Sequence, residues 1–187
     1  MRIPAYQAWQ TMAVLPERQE SVRLNADRAL KSKDRYVEAV RGHIPWAMLA
    51  VIHYREASFD FDRQLYNGEP WNRRTRLIPK GMGPWLSWEQ AAEQLVRETW
   101  AARDWTVTDV LNALERHNGL GYKHRRVMSP YVWAGTNHGI GCGLFTSDGH
   151  YDAVAEDPRV GCAPLLAYLL GIGEVEFAPE PVRRPVA

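Results

Sequence analysis

In this 187-residue chain, the residue whose neighbours best suit it to acid–base chemistry is Glu56. It closes the run Pro45-Trp46-Ala47-Met48-Leu49-Ala50-Val51-Ile52-His53-Tyr54-Arg55-Glu56, which is apolar on almost every face of a helix. At about 100° per residue, Leu49 falls roughly 20° from Glu56, Ile52 roughly 40° and His53 roughly 60°. Trp46 and Met48 fall roughly 80° away. A carboxyl group among such neighbours loses hydration, which disfavours the anion and raises its pKa. The carbonyls at a helix C-terminus act in the same direction. A carboxylic acid that holds its proton near neutral pH is what a general acid must be. The structural alternative is an ion pair of Glu56 with Arg55, with an arginine of the 73–76 cluster or with His53.

The six histidines offer little metal chemistry. No pair has the His-Glu-x-x-His spacing. His53 and Glu56 share one helix face, but tetrahedral zinc would need two more ligands, for which His138 and Cys142 are the candidates. No metal and no cofactor is expected, and His53 reads as a hydrogen-bonded part of the Glu56 helix. Cys142 and Cys162, each beside a glycine, are too few for a disulfide framework or a zinc ribbon. A single disulfide stays open, and two buried thiols are the simpler reading.

The elements that must position Glu56 read as mainly α-helical. Residues 1–15 form a short apolar segment docking on the body. Pro16 to about Arg41 reads as one helix with an irregular apolar stripe, stopped by Gly42. The buried helix opens at Pro45, a favourable first helical position, and runs to about Ser58. Residues 59–86 lose helical periodicity, and Asn67-Gly68, Glu69-Pro70, Lys80-Gly81 and Gly83-Pro84 mark turns. This region is expected to be a long irregular loop or a small β-hairpin. Ser87-Trp88-Glu89-Gln90 is a capping box opening a helix through to about Trp105. Thr106 or Thr108 caps another, and Gly119 ends it. Residues 119–150 are rich in Gly, Tyr and Asn, and 164–170 form a last short helix. The expected organisation is a single domain over 1–173, made of an N-terminal helical segment (1–44) and a core (45–173). A Pro-rich tail (174–187) reads as loosely draped or disordered.

Composition bounds the partners. With 45% hydrophobic and 24% charged residues the chain has the make-up of a globular domain, long enough to bury a core without staples. A net charge of +1 lacks the basic excess of a general nucleic-acid binder. No apolar run approaches the ~18 residues of a membrane span, and the N-terminus has no signal-peptide core. A cytoplasmic origin, no membrane insertion and a monomer are expected.

The string Ala50-Val51-Ile52-His53-Tyr54-Arg55-Glu56-Ala57-Ser58-Phe59 resembles the catalytic helix of the lysozyme superfamily, where an apolar helix ends in a Glu followed by small residues and an aromatic. Leu114-Glu115-Arg116-His117-Asn118-Gly119-Leu120-Gly121-Tyr122 is similar to the helix end and loop of lytic transglycosylases and goose-type lysozymes, with His117 where a Tyr is usual. Ser129-Pro130-Tyr131-Val132-Trp133-Ala134-Gly135-Thr136-Asn137-His138 resembles the substrate-lining segment that follows. The set, over residues 45–152, is similar to a group of phage and bacterial muramidases.

That resemblance implies a lysozyme-like helical fold and a glycosidase acting on bacterial peptidoglycan strands, with Glu56 as the acid. It implies Asn118, Tyr122, Tyr131, Trp133, Asn137 and His138 as substrate contacts. The two asparagines would bond N-acetyl groups, and the aromatic rings would stack on sugars. The product stays open. An inverting hydrolase would need a second carboxylate ~6.5–9.5 Å away, from among Asp60, Asp62, Glu69, Asp148 and Asp152. A transglycosylase would need none. Two basic clusters, Arg73, Arg74, Arg76 and Lys80, and Lys123, His124, Arg125 and Arg126, would draw an anionic wall polymer towards the cleft rim. A phage lysis enzyme, made in the cytoplasm and reaching the wall after release or export, fits this set. The rival readings are a zinc-dependent amidase or peptidase, and a non-catalytic wall-binding module.

Overall fold

The computed structural model describes residues 2–147 and 149–181. The described residues include nine α-helices, one 3-10 turn (Pro16–Arg18) and one antiparallel strand pair. In chain order the α-helices and strands are α1 (Ala5–Gln10), α2 (Gln19–Lys31), α3 (Lys33–Val40), α4 (Trp46–Ala57), α5 (Trp88–Thr99), α6 (Val107–Asn118), α7 (Gly121–His124), α8 (Pro130–Trp133), β1 (Leu144–Ser147), β2 (His150–Asp152) and α9 (Cys162–Gly171). Helix α4 is the axis of the molecule, and every one of its residues except Glu56 is buried. Helices α2, α3, α6 and α9 pack around it, and α5 closes over α3. The mainly α expectation holds.

The expected helix over 16–41 is two helices. Ser32 (φ −115°, ψ 16°) breaks it, and its carbonyl accepts the N–H groups of both Arg35 and Tyr36. The break gives each half its own buried face: Val22, Ala26 and Ala29 on α2, Tyr36, Ala39 and Val40 on α3. The irregular stripe in the sequence is the sum of these two faces. Arg41 and Gly42 then adopt left-handed conformations and end α3.

Ser87 caps α5, accepting the Gln90 N–H at 3.2 Å, but the expected box is not closed, since Gln90 Oε1 accepts the Leu86 N–H instead. The helix stops at Thr99, short of the expected end, because Trp100 turns extended and buries its indole against His117. Thr106 and Asp109 form a complete capping box on α6.

The stretch 59–87 is an irregular loop whose ladder pairing is a single isolated bridge, Arg63 to Pro70. The β-hairpin lies elsewhere, at β1–β2, with Phe145 opposite Tyr151 and Leu144 opposite Asp152. The loop is nonetheless tightly knit. Gln64 Oε1 accepts the Tyr66 and Asn67 N–H groups, Trp71 Nε1 donates to the Phe61 carbonyl, and Tyr66 stacks on Trp85 at 5.8 Å. His53, wholly buried on α4, anchors its start. Nε2 donates to the Asp60 carbonyl at 3.0 Å, so Nδ1 accepts the Tyr36 hydroxyl at 2.9 Å.

The expectation of a loose tail is corrected over 174–181. Val175 is buried, Phe177 packs on the core, Ala178 N–H donates to the Trp105 carbonyl at 2.8 Å, and Glu180 accepts the Thr108 N–H. The core therefore extends past the expected boundary at 173, while the rest of the expected tail, 182–187, lies outside the described residues. Cys142 and Cys162 are both buried free thiols, whose burial pushes their pKa values up. No helix among the described residues is long and apolar enough to cross a membrane.

Candidate active site

Glu56 sits where α4 meets open space. Ser58 (φ 51°) and Phe59 (φ 62°) take left-handed conformations, turning the chain away immediately past the helix. The turn leaves the Glu56 side chain 27% exposed in the wall of a cleft of about 540 Å³. The full desolvation expected from the apolar stripe is therefore not met. The stripe belongs to the residues before Glu56, and the last turn of the helix emerges from the core.

One oxygen of Glu56 is fixed. The hydroxyl of Tyr131, at the start of α8, donates to Oε1 at 2.9 Å. Tyr131 is buried, which pushes its pKa well above the ordinary phenol value and keeps the hydroxyl a donor. His117 Nε2, on the last turn of α6, lies 3.7 Å from the same oxygen, beyond hydrogen-bond reach. Burial lowers the His117 pKa and the Glu56 charge opposes that, so desolvation holds the ring towards neutrality. Among the described residues, nothing bonds Oε2, which is left to the cleft.

Behind this pair lies a buried charge cluster. Arg55, next to Glu56 on α4, donates to Asp157 at 2.5 Å and to the Val160 carbonyl, and both charged side chains are almost completely enclosed (3% and 2% exposed). The guanidinium stands 5.0 Å from the Tyr131 ring centre, so the ion pair backs the ring that holds Glu56. Arg159 donates to the Arg55 carbonyl at 2.8 Å and approaches Asp157, clamping the end of α4 from the other side.

The opposite wall is the β-hairpin, carried by Tyr122. The Phe145 N–H donates to the Tyr122 hydroxyl at 3.0 Å, and the two rings meet edge to face. Gly121 lets the Phe145 ring come close, since a Cβ would lie 2.8 Å from that ring and push it aside. Arg125 covers the outside of the hairpin, 4.0 Å from the Tyr151 ring centre.

Of the residues named from sequence, Glu56, Asn118, Tyr122 and Tyr131 line this cleft. Three do not. Trp133 is buried in the core, because α8 turns that face inward. Asn137 is turned to the N-terminal segment, its Oδ1 accepting the Ala13 N–H and its Nδ2 donating to the Thr11 carbonyl. His138 Nε2 bonds the Thr11 hydroxyl at 3.0 Å. All three are corrected from substrate contacts to packing and to anchoring of residues 11–14.

The candidate second carboxylates fare similarly. Asp60 accepts the Asp62 N–H and pairs with Arg63, and Asp152 accepts the Val154 and Ala155 N–H groups. Glu69 is held well inside the loop, where the N–H groups of Leu77 and Arg76 keep its carboxyl below the usual range. Asp60, Asp62, Glu69 and Asp152 are not among the residues lining the cleft, and Asp148 lies outside the described residues. The carboxylate beside Glu56 that sequence reasoning missed is Asp157, already committed to two arginines. It carries no local signal, since its partner Arg55 lies 102 residues away in sequence. Phe145 and Arg159 were missed for the same reason.

The zinc set is not assembled. His53 is enclosed between Tyr36 and the Asp60 carbonyl, and His138 is bound to Thr11. Among the described residues no three His, Cys, Asp or Glu side chains group to hold a metal. Compared with protein-family models, with curated proteins and with solved structures, the chain matches none.

Proposed function

We propose that the chain is a peptidoglycan glycosidase, a muramidase that cuts the glycan between N-acetylmuramic acid and N-acetylglucosamine with Glu56 as general acid. The observation that carries this reading is the placement of Glu56. It is a half-buried carboxyl at the end of a buried helix, in a cleft wall, with one oxygen fixed by a tyrosine and the other open to a ligand. It is also the residue at which the sequence resembles the lysozyme superfamily.

In this mechanism protonated Glu56 gives its proton to the glycosidic oxygen as the bond to the anomeric carbon breaks. The sugar left behind carries oxocarbenium character. Glu56, now a carboxylate, then takes a proton from the attacking hydroxyl, whether of water or of the substrate itself, and is restored. Tyr131 keeps Oε1 in place through both steps, and Asn118 stands at the rim to bond an N-acetyl group. The same carboxyl serves as acid and base, so Asp157 can remain in its ion pair.

The test is digestion of purified sacculi, with soluble products resolved by mass spectrometry. Reducing muropeptides identify a hydrolase, and anhydro products, lighter by one water, a transglycosylase. Cleaved peptides on intact glycan would overturn the proposal.

A further inference from the structure

The long loop that leaves the site pairs the Arg73–Lys80 cations with exposed aliphatic side chains that attraction of a wall polymer does not use. Trp71 and Trp85 close its neck, with the Trp85 N–H bonded to the Trp71 carbonyl, and Thr75 and Met82 pair further out. Beyond them the tip, 76–81, is fixed from inside. The Glu69 carboxylate accepts the N–H groups of Arg76 and Leu77, the Thr75 hydroxyl donates to the Pro79 carbonyl at 2.5 Å, and Asn67 donates to the Ile78 carbonyl. This internal bonding holds Leu77 and Ile78 outward, 57% and 83% exposed. Leu86, just past the neck, is 87% exposed. A rigid loop that shows its largest aliphatic side chains to water gains nothing in folding from them.

The charges around this tip have one sign. Between Pro70 and Trp88 the chain carries Arg73, Arg74, Arg76 and Lys80 and no Asp or Glu. All four side chains belong to exposed residues, and none is in an ion pair among the described residues. The nearest acid, Glu69, is turned inward onto the backbone of the tip. Exposed aliphatics at the tip, flanked along the loop by exposed cations, match an anionic lipid surface. The aliphatics enter the headgroup–acyl boundary while the cations meet the phosphates. A glycan or a soluble polyanion would use the cations and leave Leu77 and Ile78 in water.

We propose that the 70–86 loop is a membrane-surface anchor that adsorbs the protein to anionic phospholipid through Leu77, Ile78 and the four cations. It is a peripheral contact, needing no spanning segment, and it is independent of the glycosidase reading because lipid binding requires no turnover.

The experiment is co-sedimentation of the full chain with vesicles of phosphatidylcholine alone and of phosphatidylcholine with phosphatidylglycerol at 3:1. The protein is expected to pellet with the anionic vesicles and to stay in solution with the neutral ones. Two variants separate the contributions: Leu77→Ser with Ile78→Ser, and Arg73→Gln with Arg74→Gln and Arg76→Gln. Each alters exposed side chains, so unchanged thermal melting verifies folding. Each is expected to weaken partitioning at least about tenfold. Raising salt should reverse the binding of the wild type. Failure to pellet, equal pelleting with neutral vesicles, or binding untouched by the aliphatic pair would overturn the proposal. So would retention on purified anionic wall polymer in place of vesicles.

Discussion

The hydroxyl of Tyr131 holds one oxygen of Glu56 and leaves the other to the cleft, so a single atom separates an oriented acid from a freely rotating one. Tyr131→Phe keeps the buried ring and removes that atom. The expected result is a fall in kcat of about tenfold to a hundredfold with KM little changed, because the loss is in positioning. The accompanying stability cost should be about 1 kcal/mol, measured by urea unfolding. His53 gives the pH dependence. Burial holds its pKa down to about 4 against an ordinary 6.5. The unfolded chain therefore binds a proton between those values that the folded chain refuses. Its contribution to stability is complete above about pH 6.5 and is lost as pH falls towards 4, on the order of 3 kcal/mol in all. Unfolding free energies of wild type and His53→Gln measured across that window should show the steeper acid loss in the wild type. At this scale Glu56 was legible because its place at the end of an apolar run is a local pattern. Asp157 was not, because a buried carboxylate facing a distant arginine leaves no local pattern. Trp133, Asn137 and His138 sit in a motif-like segment, and only the turn of α8 decides that they face inward or towards residues 11–14.

Helix α4 carries Arg55 and Glu56 side by side and gives them opposite duties, one sealed in the core and one open to solvent. The sealed one needs its partner. Asp157→Asn would leave the guanidinium enclosed beside Tyr131 with its counter-charge removed, and the expected cost is about 3–5 kcal/mol, read from the shift in urea midpoint. Activity at low temperature, where the fold survives, should fall as well, since the ion pair backs the Tyr131 ring. Element boundaries were legible where side chains cap backbone: Ser87 starts α5 where the sequence places it, and of the two threonines offered for α6 it is Thr106 that caps. They were not legible where tertiary packing decides. Ser32 breaks α2 from α3 so that two faces can meet different neighbours, and Trp100 ends α5 by burying its indole. The strand pair at 144–152 has one hairpin signature, Asp148-Gly149, but strands of only four and three residues give it no clear alternation to frame. The turn-rich 59–87 stretch has several such signatures and satisfies its backbone with side chains such as Gln64 and Glu69.

The whole molecule wraps a single apolar axis, and its last described residues complete the wrap. The 174–181 segment reads as a tail because it is Pro-rich and short, yet it seals α4 and α6 through Glu174, Val175 and Phe177. Ending the chain at Gly173 should remove about 3 kcal/mol of apolar burial and lower Tm by roughly 6–12 °C, a shift measurable by calorimetry. An unchanged Tm would mean that the segment contributes nothing to the core. The wrap leaves one carboxyl of α4, the proposed acid Glu56, in a cleft wall. The most direct measurement is the rate of soluble muropeptide release from purified sacculi by wild type and by Glu56→Gln, with melting curves in parallel. Glu56→Gln should melt as the wild type does, since the side chain is part-exposed, and its rate should fall by at least about a thousandfold. A Glu56→Gln protein that is folded and still releases glycan fragments at the wild-type rate would contradict the assignment of Glu56 as the acid.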